Sequence, residues 1–376
     1  MKVCYFGTYR ANYARNEIMI ASLRAAGVEV IECHVPLWHS IEDRVQTVNR
    51  GWASLAFFKR IFTVYKALII AYRQQAEDFD VMVLGYPGQL DVFLARLLTW
   101  IHRKPLALDL FMSIYLIALE RNLDNNNRLS VLMLRWIEKI GCHLADLLIS
   151  DTTAYMIWHC ETHGLRSDKF GLVPTGYDEH LFHPYPEEAK QSAQFTVFYY
   201  GTFIPNHGVN TIIEAANLLK DRTDITFELA GDGPTKQPAE EQANAYELAN
   251  VHFSGWVDHQ DIPKKIAQAD IVLGVFGVTP QSMMTVQNKI YESLAVGSTV
   301  ISGISPTMCQ QFEHKEHIYL IERKNGVALA EAILALKNNP ELSIHLRHSG
   351  QKKTRESFNA TALGNRFKQE LGRVCR

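Results

Sequence analysis

Cysteine is scarce and scattered. Its six residues stand at 4, 33, 142, 160, 309 and 375, never as C-x-x-C. A 376-residue chain can bury a core without staples, so reduced thiols are expected. None of the 15 His falls in an H-E-x-x-H pattern, so no metal site is assigned. The D-x-D spacing of Asp78 and Asp80 directly precedes a strand pattern and is not taken as one. A G-x-x-x-x-G-K-[ST] phosphate loop and a G-x-G-x-x-G fingerprint are both missing, which removes the main support for kinase and dehydrogenase readings. Charge of one sign is not in excess: Lys plus Arg is 38, Asp plus Glu is 40, and the net charge is −2. Nothing draws nucleic acid to the whole surface, so no nucleic-acid partner is expected. Long apolar runs are missing too. The uncharged stretch 293–312 carries two Gly and a Pro and reads as a helix end, a buried strand and a loop. The stretch between Lys2 and Arg10 is too short for a signal-peptide core. A cytoplasmic location is expected, with peripheral attachment to the inner face of the membrane as an addition.

What is present is an ordinary globular composition, 47% hydrophobic and 21% charged, in a length that suits two domains or three. Short β-branched and aromatic runs alternate with helical patterns. Six open the chain, at 2–7, 28–34, 81–86, 106–111, 147–150 and 171–175. Six more follow, at 196–202, 226–231, 251–256, 271–276, 299–304 and 318–322. Most are apolar without alternation, as parallel strands buried on both faces should be. Between them apolar residues recur at i, i+3, i+4, as in 17–26, 129–145 and 209–220.

One decapeptide recurs. VCYFGTYRAN (3–12) and VFYYGTFIPN (197–206) share Val, Tyr, Gly, Thr and Asn in register. Each copy opens a series of strands. The reading is α/β: two Rossmann-like doubly wound parallel-sheet domains facing across a cleft. The domains expected are 1–185, 193–355 and a terminal helix over 356–376 that crosses back to the first. HPYPEEAKQSA (183–193) is the linker. Ligands in such sheets sit beyond the carboxyl ends of the strands, in the loops after Gly7, Tyr86, Phe111, Thr202, Gly231, Trp256 and Phe276.

The sharpest local signal is NKIYESLAVGSTVISG (288–303). Helix formers end at Gly297, which fits the left-handed position past a helix end. The start of this helix is an anion site by its exposed N–H groups. Lys289 adds a positive charge, and Glu292 lies one turn further along the same face. Such a pair suits a phosphate and a sugar hydroxyl. It reads equally as a solvated ion pair worth a few tenths of a kcal/mol. Asp109 ends a strand pattern and reads either as a base for an acceptor hydroxyl or as a structural carboxylate. Residues 44–76 hold six Lys or Arg and no acid, interleaved with aromatics. Lys59, Lys66 and Arg73 share one helical sector. The segment reads as a membrane-surface helix or as a core-packing helix with a basic edge.

NKIYESLAVGSTVISG resembles the donor-site helix of retaining glycosyltransferases of family 4, also called glycosyltransferase group 1, which have the GT-B fold. Further segments resemble that family in order: CYFGTYRANYARNEIMIASLRAAGVEV, VPTGYDEHLFHP, FYYGTFIPNHGVNTIIEAA, FELAGDGP and VHFSGWV. The resemblance implies transfer of a sugar from a nucleoside-diphosphate sugar to a hydroxyl acceptor with retention and without a metal or other cofactor. The acceptor would be a glycan or lipid-linked molecule in surface polysaccharide or glycolipid synthesis. It implies that Glu292 binds the donor ribose, and that Lys289, Asn288, Gly201 and Thr202 hold the diphosphate. Val257 would lie beside the base, with Gly231 and Gly233 allowing the donor close. Gly7 and Thr8 would close over the sugar phosphate. Three places depart from the family pattern, one being 202–205, where an Arg is often found. Met284 stands where a second Glu usually contacts the sugar. His207 stands where a Lys usually precedes Gly, and joins Asp109 as a catalytic candidate expected to be half-charged near neutral pH. An epimerase or hydrolase of the same fold, or a catalytically weak donor-binding protein, are the alternatives.

Overall fold

The computed structural model describes residues 1–37, 55–75, 78–185 and 194–375, leaving aside the side chains of 55–58 and 126. Arg44, Arg50 and Trp52 of the basic segment, and linker residues 186–193, lie outside the described residues. The chain divides into two units. One comprises Met1–Thr175 with Ala360–Arg376, the other Gly176–Asn359. The first division thus falls earlier in the chain than 185.

The first unit runs β1 (Lys2–Gly7), α1 (Ala14–Ala25), β2 (Glu29–His34), α2 (Leu55–Gln75), β3 (Val81–Leu84), α3 (Val92–His102), β4 (Leu106–Asp109), α4 (Ile114–Glu120), α5 (Leu123–Leu144), β5 (Leu147–Ser150), α6 (Thr153–His163) and β6 (Phe170–Leu172). The second runs β7 (Phe195–Tyr200), α7 (Val209–Leu218), β8 (Ile225–Ala230), α8 (Lys236–Ala245), β9 (Val251–Gly255), α9 (Ile262–Gln268), β10 (Ile271–Leu273), α10 (Pro280–Met284), α11 (Asn288–Val296), β11 (Val300–Gly303), α12 (Pro306–Gln311), β12 (Tyr319–Ile321), α13 (Gly326–Asn338) and α14 (Pro340–Ser357). The last helix, α15 (Ala360–Gly372), returns to the first unit. All twelve strands fall on the twelve apolar runs.

Each unit holds one six-stranded sheet, ordered β2-β1-β3-β4-β5-β6 and β12-β11-β10-β7-β8-β9, and every described pairing is parallel. Strand residues alternate between two buried faces, which is why the runs lack polar positions. In the first sheet Val3 and Tyr5 pack with α1 and with Leu363, Phe367 and Leu371 of α15. Cys4 and Phe6 pack on the opposite face with α2, α3 and α5. The two copies of the repeat are β1 and β7 with the loops after them. Both strands border the point where strand order reverses, the β1/β3 and β7/β10 neighbours, and such points open a ligand crevice at the carboxyl ends. Gly7 and Gly201 also share one backbone conformation, φ 133° and 136°, which is open to glycine alone among ordinary residues.

Candidate donor site

In the second unit the crevice beside β7 gathers four of the expected residues. The loop Gly201–Thr202 leaves β7, and α11 begins opposite it. Lys289, in the first turn of α11, is 6% exposed, and its Nζ meets no hydrogen-bond partner among the described residues. The ammonium lies 4.2 Å from the ring centre of Tyr199 and 5.7 Å from that of Tyr200. A Cβ on Gly201 would come within 2.9 Å of this Nζ and 3.5 Å of His207 Cε1. Glycine at 201 therefore leaves the space in which a lysine head and a backbone turn meet. Burial pulls the Lys289 pKa down from 10.5 to about 7, against the favourable field of Glu292. A buried cation facing rings and one distant carboxylate is undercompensated, and an anion there would satisfy it.

The α11 N-terminus adds to this. Gln287 precedes the helix without a side-chain cap, so the amides of the first turn, including that of Asn288, receive no side-chain acceptor from it. Gly297 ends the helix at φ 95°, as its position in sequence implied. One turn on, Glu292 is 7% exposed and accepts a 2.7 Å bond from the Tyr200 hydroxyl. Burial raises its pKa, while the Tyr200 bond and nearby His259 and Lys289 oppose the shift. Tyr200 is a site residue that no spacing rule announces. It lies in the second half of a buried aromatic strand and meets Glu292 across 92 residues.

His207 is corrected in one respect. Its Nδ1 lies 2.8 Å from the Tyr199 hydroxyl, and burial, then Lys289, push its pKa well below 6.5. It is neutral rather than half-charged at neutral pH. The positive charge expected of the loop is left to Lys289, itself about half-protonated at neutral pH. Met284 is half-buried at the end of α10 and supplies no carboxylate. Thr202 is exposed, and Val257 is half-buried just beyond β9.

Gly231 has a different role from the one expected. Its φ is 135°, and a Cβ there would lie 1.9 Å from the Gly201 carbonyl oxygen. Gly233, at φ 148°, is pressed in the same way against the Phe203 backbone. The close approach these glycines permit is of one loop to another within the unit. Gly231→Ala is therefore expected to cost on the order of 3 kcal/mol or more, read as a lower urea midpoint. A loss below about 0.5 kcal/mol would contradict this packing of one loop on the other.

In the first unit two expected sites have their partners within the unit. Both carboxylate oxygens of Asp109 are held by Arg15, at 2.9 and 3.1 Å, and both side chains are wholly buried. Arg15 also donates to the carbonyls of Val173 and Pro174 at 2.8 and 3.1 Å. Asp109 is thus the structural carboxylate of the two readings. Thr8 donates its amide at 2.6 Å to Asp91 Oδ2 and has its hydroxyl within 3.1 Å of both Asp91 oxygens. Those donors are engaged within their own unit, and a Cβ on Gly7 would meet the same carboxylate at 2.7 Å. Asp91 was not legible in the sequence. Burial raises its pKa to about 7, against its bonds from Thr8.

A second buried cluster joins Glu138, His159 and His163, whose ligand-type atoms lie within 4.8 Å of one another. Glu138 accepts from Ser113 Oγ, the Ile114 amide and His163 Nε2 at 2.6, 2.7 and 2.9 Å, so its carboxylate is already satisfied by the protein. Burial takes the His159 pKa down to about 4. Between about 6.5 and 4 the unfolded chain binds this proton and the folded one does not, so stability falls with falling pH. Its share between pH 7 and 5 is on the order of 2 kcal/mol, and His159→Phe should remove that share from urea unfolding curves at the two pH values.

The fold is the GT-B fold of glycosyltransferases. It matches HepE from Anabaena, solved with UDP and glucose, at a TM-score of 0.71 and 16% identity over 100% of both chains. It matches sucrose-phosphate synthase from Thermosynechococcus elongatus at 0.75 and 15%, over 99% of this chain and 98% of that one. Residues 185–353, which carry this site, match the family of glycosyl transferases group 1. Among named relatives, mannosylfructose-phosphate synthase of Agrobacterium fabrum is 21% identical over 59% of this chain and 52% of its own. The lipopolysaccharide core biosynthesis glycosyltransferase LpsD of Rhizobium meliloti is 24% identical over 49% and 52%. The chain thus spans about half the length of the curated relatives it matches.

Proposed function

We propose that the protein is a retaining glycosyltransferase of family 4 that moves a sugar from a nucleoside-diphosphate sugar to a hydroxyl acceptor. The observation that carries this is the buried, unpartnered Lys289 ammonium beside Gly201 at the start of α11. A diphosphate supplies the missing countercharge. Its oxygens take the first-turn amides and the lysine, and Thr202 lies at the open side of the same loop. Glu292, oriented by Tyr200, accepts from a ribose hydroxyl, and the Val257 backbone borders the base. HepE, solved with UDP and with UDP-glucose, supports a uridine donor as the first to test.

In this reading Lys289 and the helix N-terminus stabilise the charge that grows on the leaving diphosphate as the sugar–oxygen bond breaks. The cation comes from the protein, so no metal is called on. The acceptor proton passes to the departing phosphate, since Asp109 is closed off. A glycan or lipid-linked acceptor in surface polysaccharide or glycolipid synthesis fits, in keeping with LpsD.

The test is a thermal-shift series with UDP, GDP, TDP, ADP and CDP and their sugars, on wild type and Glu292→Ala. A ligand that binds only the folded state at about 100 times its Kd adds about 2.7 kcal/mol. One nucleotide family should shift the wild type, and Glu292→Ala should lose most of that shift. No shift with any of them would refute the donor site.

A further inference from the structure

The large apolar side chains that the described residues expose are not spread evenly. Four lie on α3, five on α5 and two on α2, whereas the whole second unit exposes seven, scattered over separate elements. On α3 they are Phe93, Leu97, Trp100 and Ile101, spaced i, i+4, i+7, i+8, so they form one stripe. On α5 they are Leu129, Leu132, Met133, Trp136 and Ile140, again one stripe. The opposite faces of these helices carry the core residues Val92, Ala95, Val131 and Leu134. The helices pack on each other where a Cβ on Gly141 would meet Val92 at 3.1 Å and where Arg96 Nε donates to the Leu144 carbonyl at 2.7 Å. The two helices are therefore neighbours, each with one exposed apolar stripe. Trp100 is 62% exposed and Trp136 58%.

The charge around this strip is mainly positive, with Asp146 paired to Arg96 and Asp78 to Lys104. Residues 92–104 contain Arg96, Arg103 and Lys104 and no acid. On α5 Arg128, Arg135 and Lys139 flank the apolar stripe, while the nearby Glu138 is buried in its own network. Lys139 lies over the Trp136 ring at 5.6 Å and Arg96 over Trp100 at 5.4 Å. On α2 the exposed side chains include Lys59, Lys66 and Arg73, with Phe62 and Ile70 between them. α2 packs on the same layer, with Ile61 and Val64 against Val131 and Leu134.

We infer that the outer face of α2, α3 and α5 docks on an anionic lipid bilayer. Tryptophans carrying cations, set in an apolar strip where exposed basic residues outnumber acids, match an interface of acyl chains below and phosphate headgroups above. A second copy of the chain would bring this cationic face against itself, so like charges disfavour that occupant. Among the described residues no helix is long and apolar enough to cross a membrane, so the contact is a surface one. The docking face extends the basic helix read from the sequence onto two further helices outside residues 44–76. It does not depend on the donor reading.

Co-sedimentation with vesicles of phosphatidylcholine alone, or mixed equally with phosphatidylglycerol, tests it. The wild-type chain should bind the mixed vesicles and not the neutral ones, and raised salt should weaken binding. Reversing Lys59, Lys66 and Arg73 to Glu should weaken it about 100-fold. The pair Trp100→Ser and Trp136→Ser should weaken it about tenfold at low salt. Both variants change exposed side chains and should keep the wild-type melting temperature, which checks folding independently. Absence of binding to mixed vesicles, or binding unaltered in both variants, would overturn the inference. So would sedimentation-velocity dimers abolished by the tryptophan variant without any vesicle binding.

Discussion

Lys289→Met should give a protein that is more stable than wild type below neutral pH and turns over about 10²–10³-fold more slowly. The two effects have one cause. In the folded state the Lys289 pKa is near 7 because burial disfavours the ammonium. Between about 7 and 10.5 the unfolded chain keeps a proton that the folded chain releases, so stability declines as pH falls through that window and is flat below it. The full penalty is on the order of 5 kcal/mol, and a methionine of similar shape should recover about 2 kcal/mol or more of it. In the proposed donor site the same cation would be the countercharge for a diphosphate, and one such electrostatic contact is worth about 3 kcal/mol in a transition state. Nucleotide binding should also take up a proton just above pH 7, so affinity for the nucleoside diphosphate should fall as pH rises from there. Calorimetry in buffers of different ionisation enthalpy reads that proton. Turnover within about threefold of wild type in Lys289→Met would sink the assignment.

The second large effect concerns Arg15 and Asp109. Arg15→Met should cost about 3–5 kcal/mol in urea unfolding, because it strands a wholly buried carboxylate. Asp151 makes the site less forgiving. It is buried beside the same guanidinium, and burial already raises its pKa to about 7. Asp109→Leu should cost a comparable amount by leaving the guanidinium with only the two carbonyls. The double variant removes both charges and should return to within about 2 kcal/mol of wild type. It should also keep turnover within about tenfold. A folded double variant with no activity would restore Asp109 as a chemical participant.

Much of this was legible because burial writes itself into sequence. Strands covered on both faces must be apolar throughout, and all twelve appeared as runs. The repeated decapeptide was legible because a left-handed glycine at a sheet reversal is needed twice. Helical spacing put Lys289 and Glu292 on one face but left a solvated ion pair open, and only the family resemblance gave them a donor role. What spacing does not carry is the partner across space. Asp91 reaches Thr8 over 83 residues and Arg15 reaches Asp109 over 94. Arg15 sits in an amphipathic pattern where a charge normally means solvent, yet α1 is covered on its other side by α15. His207 looked titratable because the sequence shows neither its burial nor the lysine head beside it.

That covering helix has a consequence for the order in which the chain becomes structured. A Cβ on Gly364 would come within 1.8 Å of the Ser22 carbonyl oxygen, so α15 and α1 cross at contact distance. Leu363, Phe367 and Leu371 complete a core whose other members were translated first, beginning with Val3. The residues of the second unit, 176–359, all emerge from the ribosome before those three. The half that starts first therefore finishes last. Until those residues join it, this face of the sheet is covered by α1 alone, and that interval is when a chaperone would find it.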